Sequence, residues 1–285
     1  MRVRNHRQTH KAAPKKRARP PYLALLLVVV LVLGGYLFWT QTNSTPQTNP
    51  NEVIVIDQPQ LPEPTPKKGV LKTFTPEEFR DLYNNFAWPN TQKIAADQEI
   101  TGNTAADQEI RRIAEERGYR VRSAPVSNVF VTVDTDMQLQ QRAAVSWEEL
   151  VAAAAKDNIL LSLTDGYRAS EDQKNIFLGR LQGLGIQINR IAAGTYEKQL
   201  NELMSITAPP SYSRHHSGYT VDIGCDNNPT RAFEFTVCFD WLSAENYKNA
   251  KTYGWIPSYP EGTDMQGPEP ESWEYVWVGK DALTE

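Results

Sequence analysis

The sequence predicts an α+β fold: one globular domain with a mainly antiparallel sheet flanked by helices, preceded by a single transmembrane helix. Three observations carry that prediction. Helix signals come first along the polar body of the chain and strand signals follow, a segregation that argues against alternating βαβ units. The chain has 285 residues and 40% hydrophobic content, enough to bury a sizeable core. Residues 22–39, reading YLALLLVVVLVLGGYLFW, carry no charge over 18 positions, close to the roughly 20 that a helix needs to cross a bilayer core.

Taken in order, residues 1–21 form a basic tail that contains Arg2, Arg4, Arg7, Lys11, Lys15, Lys16, Arg17 and Arg19 and no acid. By the positive-inside rule this flank stays in the cytoplasm and the body faces outward. The apolar run 22–39 ends in Tyr36, Phe38 and Trp39, residues suited to a membrane–water interface, and no small-residue cleavage pattern follows it. It reads as a signal anchor, with a cleaved signal peptide as the alternative. Residues 40–73 include Pro46, Pro50, Pro59, Pro62, Pro64 and Pro66 and predict a semi-extended spacer with one apolar interruption at 52–56.

The domain proper spans 74–285. Thr75-Pro76-Glu77-Glu78 has the cap, first-turn proline and third-position glutamate of a helix start. The hexapeptide AADQEI occurs at 95–100 and again at 105–110. Two short copies make no solenoid, so the first reads as a loop and the second as the start of a helix ending at Gly118. Strand character appears at 119–123 and 128–133. Ser146-Trp147-Glu148-Glu149 opens a helix through the alanines 152–155, and 158–164 reads as a buried strand. Helices are expected at 170–182, 195–204 and 239–252, with strands at 220–224, near 255–259 and at 273–278.

Charge and cysteines narrow the setting. The net charge is −4, but without the eight N-terminal cations 22 basic residues face 34 acidic ones, a body of −12. Such a body excludes nucleic acid as the expected partner. Cys225 and Cys238, both in the outward part, are expected to form a disulfide just after Asp222. Two buried free thiols are the alternative.

The chemistry gathers in three segments. Ser213-Arg214-His215-His216-Ser217-Gly218-Tyr219-Thr220-Val221-Asp222 sets an imidazole and a carboxylate seven residues apart with a glycine between them. A turn at Gly218 would aim both at one point, two-thirds of a three-ligand zinc site. His216, on an extended strand, would face away and take a supporting or surface position. Asp165-Gly166-Tyr167-Arg168 follows a buried strand and places a guanidinium fork where a carboxylate or carbonyl can be held. Glu271 and Glu274 lie three apart at the start of a strand, where such a pair can supply a general base and a ligand. The aromatic stretch 235–260 reads as core and groove wall.

Together these segments resemble the VanY-like zinc D-alanyl-D-alanine carboxypeptidases of the LAS metallopeptidase group. That family carries Ser-x-His-x-x-Gly-x-Ala-x-Asp, matched by Ser213, His215, Gly218 and Asp222, with Thr220 in place of Ala. It also carries Ser-Gly-Tyr-Arg-Ser ahead of a Gln. Here Asp165 opens the motif, Arg168 and Ser170 follow, and Gln173 is in place. The resemblance covers about residues 110–280.

The family closes with Glu-Pro-Trp-His, in which Glu is the catalytic base and His the third zinc ligand. No such histidine exists here, because His6 and His10 precede the apolar run. Aligning on Trp-x-x-x-Val-Gly makes Glu271 the base and puts Glu274 at the ligand position. Aligning on Glu-Pro instead gives Glu269 and Ser272. The first register keeps a zinc-binding carboxylate and is preferred. Its extra negative charge predicts a less acidic zinc water, hence a slower or more alkaline enzyme.

The resemblance thus implies a membrane-anchored carboxypeptidase that trims peptidoglycan stem peptides. Zn2+ would be held by His215, Asp222 and Glu274, with Glu271 and Arg168 catalytic and Arg168, Ser170, Gln173 and Ser213 forming the substrate pocket. It also implies a bacterial plasma or inner membrane protein with a cytoplasmic N-terminus and an outer catalytic domain. The alternative is a catalytically inactive module of the same fold that binds peptidoglycan.

Overall fold

The structure is a computed structural model that describes residues 69–285, except 128–129, 135 and 227–231. The apolar run 22–39 and most of the spacer lie outside the described residues. Among the described residues no helix is long and apolar enough to cross a membrane.

Local chemistry accounts for the helix starts. Helix α1 (Pro76–Asn85) has the expected capping box: Thr75 Oγ1 accepts from Glu78 N–H, and Glu78 Oε2 accepts from Thr75 N–H at 2.7 Å. The duplicated hexapeptide takes two conformations. Its first copy is loop, and its second lies in α2 (Thr104–Glu116), capped by Asn103. Asp107 of the second copy accepts from the backbone N–H of Ile100 and Thr101, so it ties the preceding loop to the helix.

The main sheet has four strands in the order β5 (Leu161–Asp165), β6 (Thr220–Cys225), β8 (Glu274–Trp277), β7 (Trp255–Pro257), every neighbouring pair antiparallel. Two smaller pairs stand apart: β1 (Thr91–Lys93) with β2 (Ser123–Pro125), and β3 (Phe130–Asp134) with β4 (Met137–Gln140). The antiparallel expectation holds. The expected order of helices before strands does not, because strands and helices interleave from β1 onward. The three- and four-residue strands exist through their pairing partners rather than through propensity, which composition cannot register.

Val221, Ile223 and Tyr275 reach one side of the sheet and join a core with Trp147 and Leu150 of α3 (Gln141–Lys156) and Leu242 and Ala250 of α7 (Val237–Thr252). A second core joins α2 to α4 (Ser170–Gly183), α5 (Ile188–Ala192) and α6 (Glu197–Met204) around Ile110, Phe177 and Leu200. Helix α3 begins five residues before the expected cap. Ser146 is buried inside it, and its hydroxyl donates to the Tyr253 carbonyl instead of capping a helix.

Helix α7 is broken at Ala244–Tyr247, where Glu245, Asn246 and Tyr247 take left-handed backbone conformations. The break aims the Asn246 amide at the backbone of Phe74, donating to its carbonyl at 2.8 Å and accepting from its N–H at 3.0 Å. Residues read as the end of the spacer are docked on the domain next to it. Lys72 N–H also donates to Leu283 O, and the buried Lys251 ammonium donates to Lys72 O. In the aromatic stretch Trp255 and Tyr259 are buried, whereas Phe235 is 84% exposed.

Candidate metal centre and active site

The centre begins with a turn. Residues Arg214–Ser217 form a 3-10 helix capped by Ser213, whose Oγ accepts from His215 N–H. Gly218 then takes φ 74° and swings the chain into β6. A Cβ there would lie 3.1 Å from both Gln140 Cγ and Phe130 Cε1, so space and backbone angle both favour glycine. The turn expected at Gly218 is present, but the histidines sit in a helical turn and not on a strand. His216 therefore does not face away: it is buried, and its Nδ1 lies 2.8 Å from Arg168 O. Burial pushes its pKa down to about 4.

Sheet register supplies the acids. Asp222 is the cross-strand partner of Asp165 on one side and of Glu274 on the other. Side chains opposite one another across antiparallel strands share a face, and Asp222 alternates with the core residues Val221 and Ile223. A row of three carboxylates thus crosses the sheet on the face away from the first core. His215 Nε2 points into this row, 3.4 Å from Asp222 Oδ1 and 3.5 Å from Glu274 Oε2. Its Nδ1 lies 2.7 Å from the Gly166 carbonyl. A proton on Nδ1 donates there and leaves the Nε2 lone pair free to bind a cation, the tautomer a metal-ligating histidine needs.

Two readings of the third ligand meet here. Ligand atoms of Asp165, His215 and Asp222 all lie within 4.8 Å of one another, which makes Asp165 a rival to Glu274. The two carboxylates differ in their hydrogen bonds. Asp165 Oδ1 accepts from Gly166 N–H, and its Oδ2 is ion-paired with Arg168 Nη2. By contrast, Asp222 Oδ1 and Glu274 Oε1 are buried and have no hydrogen-bond partner among the described residues. A buried carboxylate oxygen without a donor is costly, and a cation beside His215 Nε2 would satisfy Asp222 Oδ1, which lies 3.4 Å from that nitrogen. One imidazole and two carboxylates form an acceptable zinc set, so these residues fit that ion.

The electrostatics follow from crowding. Burial disfavours charge on His215, but Asp222 and Glu274 outweigh it and hold the ring's pKa up at about 10. Burial, then Glu274 and Asp222, push the half-buried Glu271 carboxyl up to about 8, a value that suits a proton acceptor near neutral pH. Burial opposes ionisation of Glu274, but its bonding to His215 and the Arg214 charge outweigh burial and hold its pKa down. Arg214 Nε lies 3.8 Å from Glu274 Oε1, with both side chains 3% exposed. The same guanidinium donates to Ser258 O and lies over the rings of Tyr83 and Tyr259.

Arg168 stands beside this centre. Its Nη1 donates to Gln173 Oε1 at 2.7 Å and its Nη2 is held by Asp165. Its backbone N–H donates to His215 O, which locks the two motifs together. Gln173 is buried and donates to Ala208 O. Ser170 and Ser211 both donate to Gln98 Oε1. Ser213 caps its turn as described, and Cys225 and Cys238 form the expected disulfide at the end of β6.

The geometry thus brings His215, Asp222, Glu274 and Arg168 together, with Glu271 electrostatically coupled to them. The sequence reading gave no role to Asp165, Arg214 or Gln98. Asp165 and Arg214 were visible as motif members, but nothing in the sequence fixed what they touch. Gln98 belongs to the first copy of the duplicated hexapeptide, which the sequence marked as a loop but gave no reason to place at the site.

The sequence model of the VanY family, described as D-alanyl-D-alanine carboxypeptidase, matches residues 136–280. A D-alanyl-D-alanine carboxypeptidase of Enterococcus faecalis is 28% identical over 138 residues, 48% of this chain and 47% of the relative. The chain spans about half the length of the curated relatives it matches. Among solved structures, the vancomycin-resistance D,D-pentapeptidase VanY in complex with Zn(II) is similar at 23% identity and a TM-score of 0.42, over 58% of this chain and 88% of that one. The LdcB LD-carboxypeptidase is similar at 24% identity and a TM-score of 0.41, over 55% of this chain and 68% of that one.

Proposed function

The chain belongs to the VanY D-alanyl-D-alanine carboxypeptidase family, and from that premise we propose that it is a zinc carboxypeptidase releasing D-alanine from peptidoglycan stem peptides. The family is zinc-dependent. Here His215, Asp222 and Glu274 would hold the metal. Zinc, when bound, supplies a Lewis acid at the scissile carbonyl and a water acidic enough to attack near neutral pH.

The chain's own groups do the rest. Glu271 takes the proton from the attacking water and returns it to the leaving amine, in keeping with its raised pKa. Arg168 grips the terminal carboxylate of the substrate through its fork of donors. Asp165 and Gln173 hold that fork in place before substrate arrives. The Gly166 carbonyl fixes the His215 tautomer.

The observation that carries the reading is the convergence of His215 Nε2 on Asp222 and Glu274 at 3.4 and 3.5 Å, with the buried Asp222 Oδ1 lacking a hydrogen-bond donor beside it. The test is the metal content of the purified chain together with D-alanine release from a synthetic stem peptide. One zinc per chain with release that chelator abolishes supports the reading. A chain that takes up no zinc refutes it. We further propose that residues 22–39 anchor the protein in a bacterial plasma or inner membrane, with the basic tail cytoplasmic and the domain outside. Loss of membrane association when that segment is deleted checks the anchor.

A further inference from the structure

Apart from the metal centre, the domain has a second concentration of charge, of opposite sign. A cavity of about 190 Å3 is lined by Arg80, Arg120, Arg122 and Arg214, with Asp81 and Asp264 as its acids. In a body of net −12 such a gathering of guanidinium groups needs a physical reason.

Arg122 is the informative member. Its backbone is pinned on both sides: its N–H donates to Ser211 O at 2.9 Å, and its carbonyl accepts from Ile94 N–H at 3.0 Å. Its side chain is 9% exposed and lies 4.9 Å from the centre of the Tyr83 ring, the same ring that carries Arg214 at 4.3 Å. Two guanidinium groups thus share one aromatic ring. Arg214 has a counter-charge in Glu274. Arg122 has no ion pair among the described residues, and its Nε is buried without a hydrogen-bond partner. Burial lowers its pKa, and Arg214 adds to that effect.

A buried cation without a counter-ion is strongly unfavourable, and a fixed backbone prevents it from escaping to solvent. Arg80 has Asp81 at 3.7 Å and Arg214 has Glu274 at 3.8 Å. Counted together, the four lining guanidinium groups meet three carboxylates, those of Asp81, Asp264 and Glu274, which leaves one positive charge unmatched.

We propose that this cavity binds a phosphate-class anion, free or as the phosphoryl group of an ester, with Arg122 as its buried anchor and Arg120 at the rim. The volume agrees. About 190 Å3, many times the roughly 10–15 Å3 of such space that one water needs, leaves room for a phosphoryl group. The donors agree too. A carboxylate is served by a single guanidinium fork, whereas a tetrahedral anion accepts from several at once. The site adjoins the metal centre, because its occupant would touch the Arg214 guanidinium that pairs with Glu274, but anion binding there does not depend on hydrolysis.

Isothermal titration of the full chain with inorganic phosphate at constant ionic strength tests this. We expect saturable binding of one phosphate, weakened about 10- to 100-fold in Arg122→Gln, the worth of one charged hydrogen-bonding group. In phosphate-free buffer Arg122→Gln should melt no lower than the wild type, since it removes an uncompensated buried charge. A purely structural arginine would give a lower melting temperature whatever the phosphate concentration, and that result overturns the proposal. Arg120→Gln, at an exposed position, keeps the test open should the first variant fail to fold: it must weaken phosphate binding, and unchanged binding also overturns the proposal. Dimethyl phosphate competing as well as inorganic phosphate assigns the site to a diester, and failure to compete assigns it to free phosphate. Acetate competing as well as either refutes the phosphate class.

Discussion

The metal-free protein should lose stability as pH rises. The Glu271 carboxyl is pushed from 4.5 to about 8, by burial first and then by Glu274 and Asp222. His215 is held at about 10 against an ordinary 6.5, because Asp222 and Glu274 outweigh the opposing effect of burial. In both cases the folded chain keeps a proton that the unfolded chain has already released. The stability they contribute is complete below the unfolded values and is lost as pH climbs, from 4.5 to about 8 for Glu271 and from 6.5 to about 10 for His215. Either displacement corresponds to about 5 kcal/mol. The two groups share Asp222 and Glu274 as partners, so their contributions do not add.

We therefore expect a combined loss of about 5 kcal/mol between about pH 5 and pH 9. That is roughly 10–20 °C in melting temperature for a domain of this size. Glu274 works in the opposite sense. Its pKa is lowered, so its contribution is present above its unfolded value and lost as pH falls through the folded one. The maximum of stability should then lie at mildly acidic pH. Thermal melts in chelator across this range measure the curve, and zinc should flatten it, because the metal binds deprotonated ligands. A melting temperature that is flat or rising from about pH 5 to 9 without metal would refute the electrostatic picture of the centre. Glu271→Gln should remove the lower part of the slope, and an unchanged slope would show that Glu271 does not face the acids.

Further outcomes follow from the same contacts. Glu274→His should keep or raise the activity of the folded enzyme while lowering its stability by about 3–5 kcal/mol, because it strands the buried Arg214; denaturant unfolding alongside D-alanine release measures both. Arg168→Lys should raise KM for the stem peptide more than it lowers kcat, since lysine has no planar fork, and equal effects on the two would place Arg168 elsewhere. Asp165→Asn should leave zinc affinity nearly unchanged and raise KM about 10-fold, as expected for a residue that orients Arg168; loss of zinc would make it a ligand after all. Replacing Cys225 and Cys238 by serine should cost about 3 kcal/mol of stability, the effect of opening a loop of that length, read as a lower denaturant midpoint.

What the sequence disclosed depended on whether a feature was local. The Thr75 capping box, the split fate of the two hexapeptides and the turn at Gly218 are settled within a few residues, and each appears as expected. The start of α3 was misplaced because Ser146, a good cap by type, is claimed by Tyr253 more than a hundred residues away. The break in α7 has the same origin, since Asn246 serves the backbone of Phe74. In the site, the pairing of His215 with Asp222 was legible from spacing. The preference for Glu274 over Ser272 came from ligand chemistry in the sequence, and sheet register sets Glu274 opposite Asp222. The 3-10 turn that buries His216 had no counterpart in the sequence pattern.

Arg214 changes one expectation about chemistry. Replacing a neutral imidazole ligand by a carboxylate adds a negative charge, which on its own predicts a slower or more alkaline enzyme. Here that charge lies 3.8 Å from a guanidinium that is as buried as the carboxylate, where attraction is weakly screened. His215, Asp222, Glu274 and Arg214 together carry the same formal charge as two neutral imidazoles and one aspartate. The pH–rate profile should therefore stay in the neutral range. Arg214→Met should shift its acid limb to higher pH, and Arg214→Met combined with Glu274→His should return it, because the double variant restores the charge count without the ion pair. A folded Arg214→Met enzyme with an unshifted profile would show that the guanidinium holds Glu274 in place but does nothing to balance it.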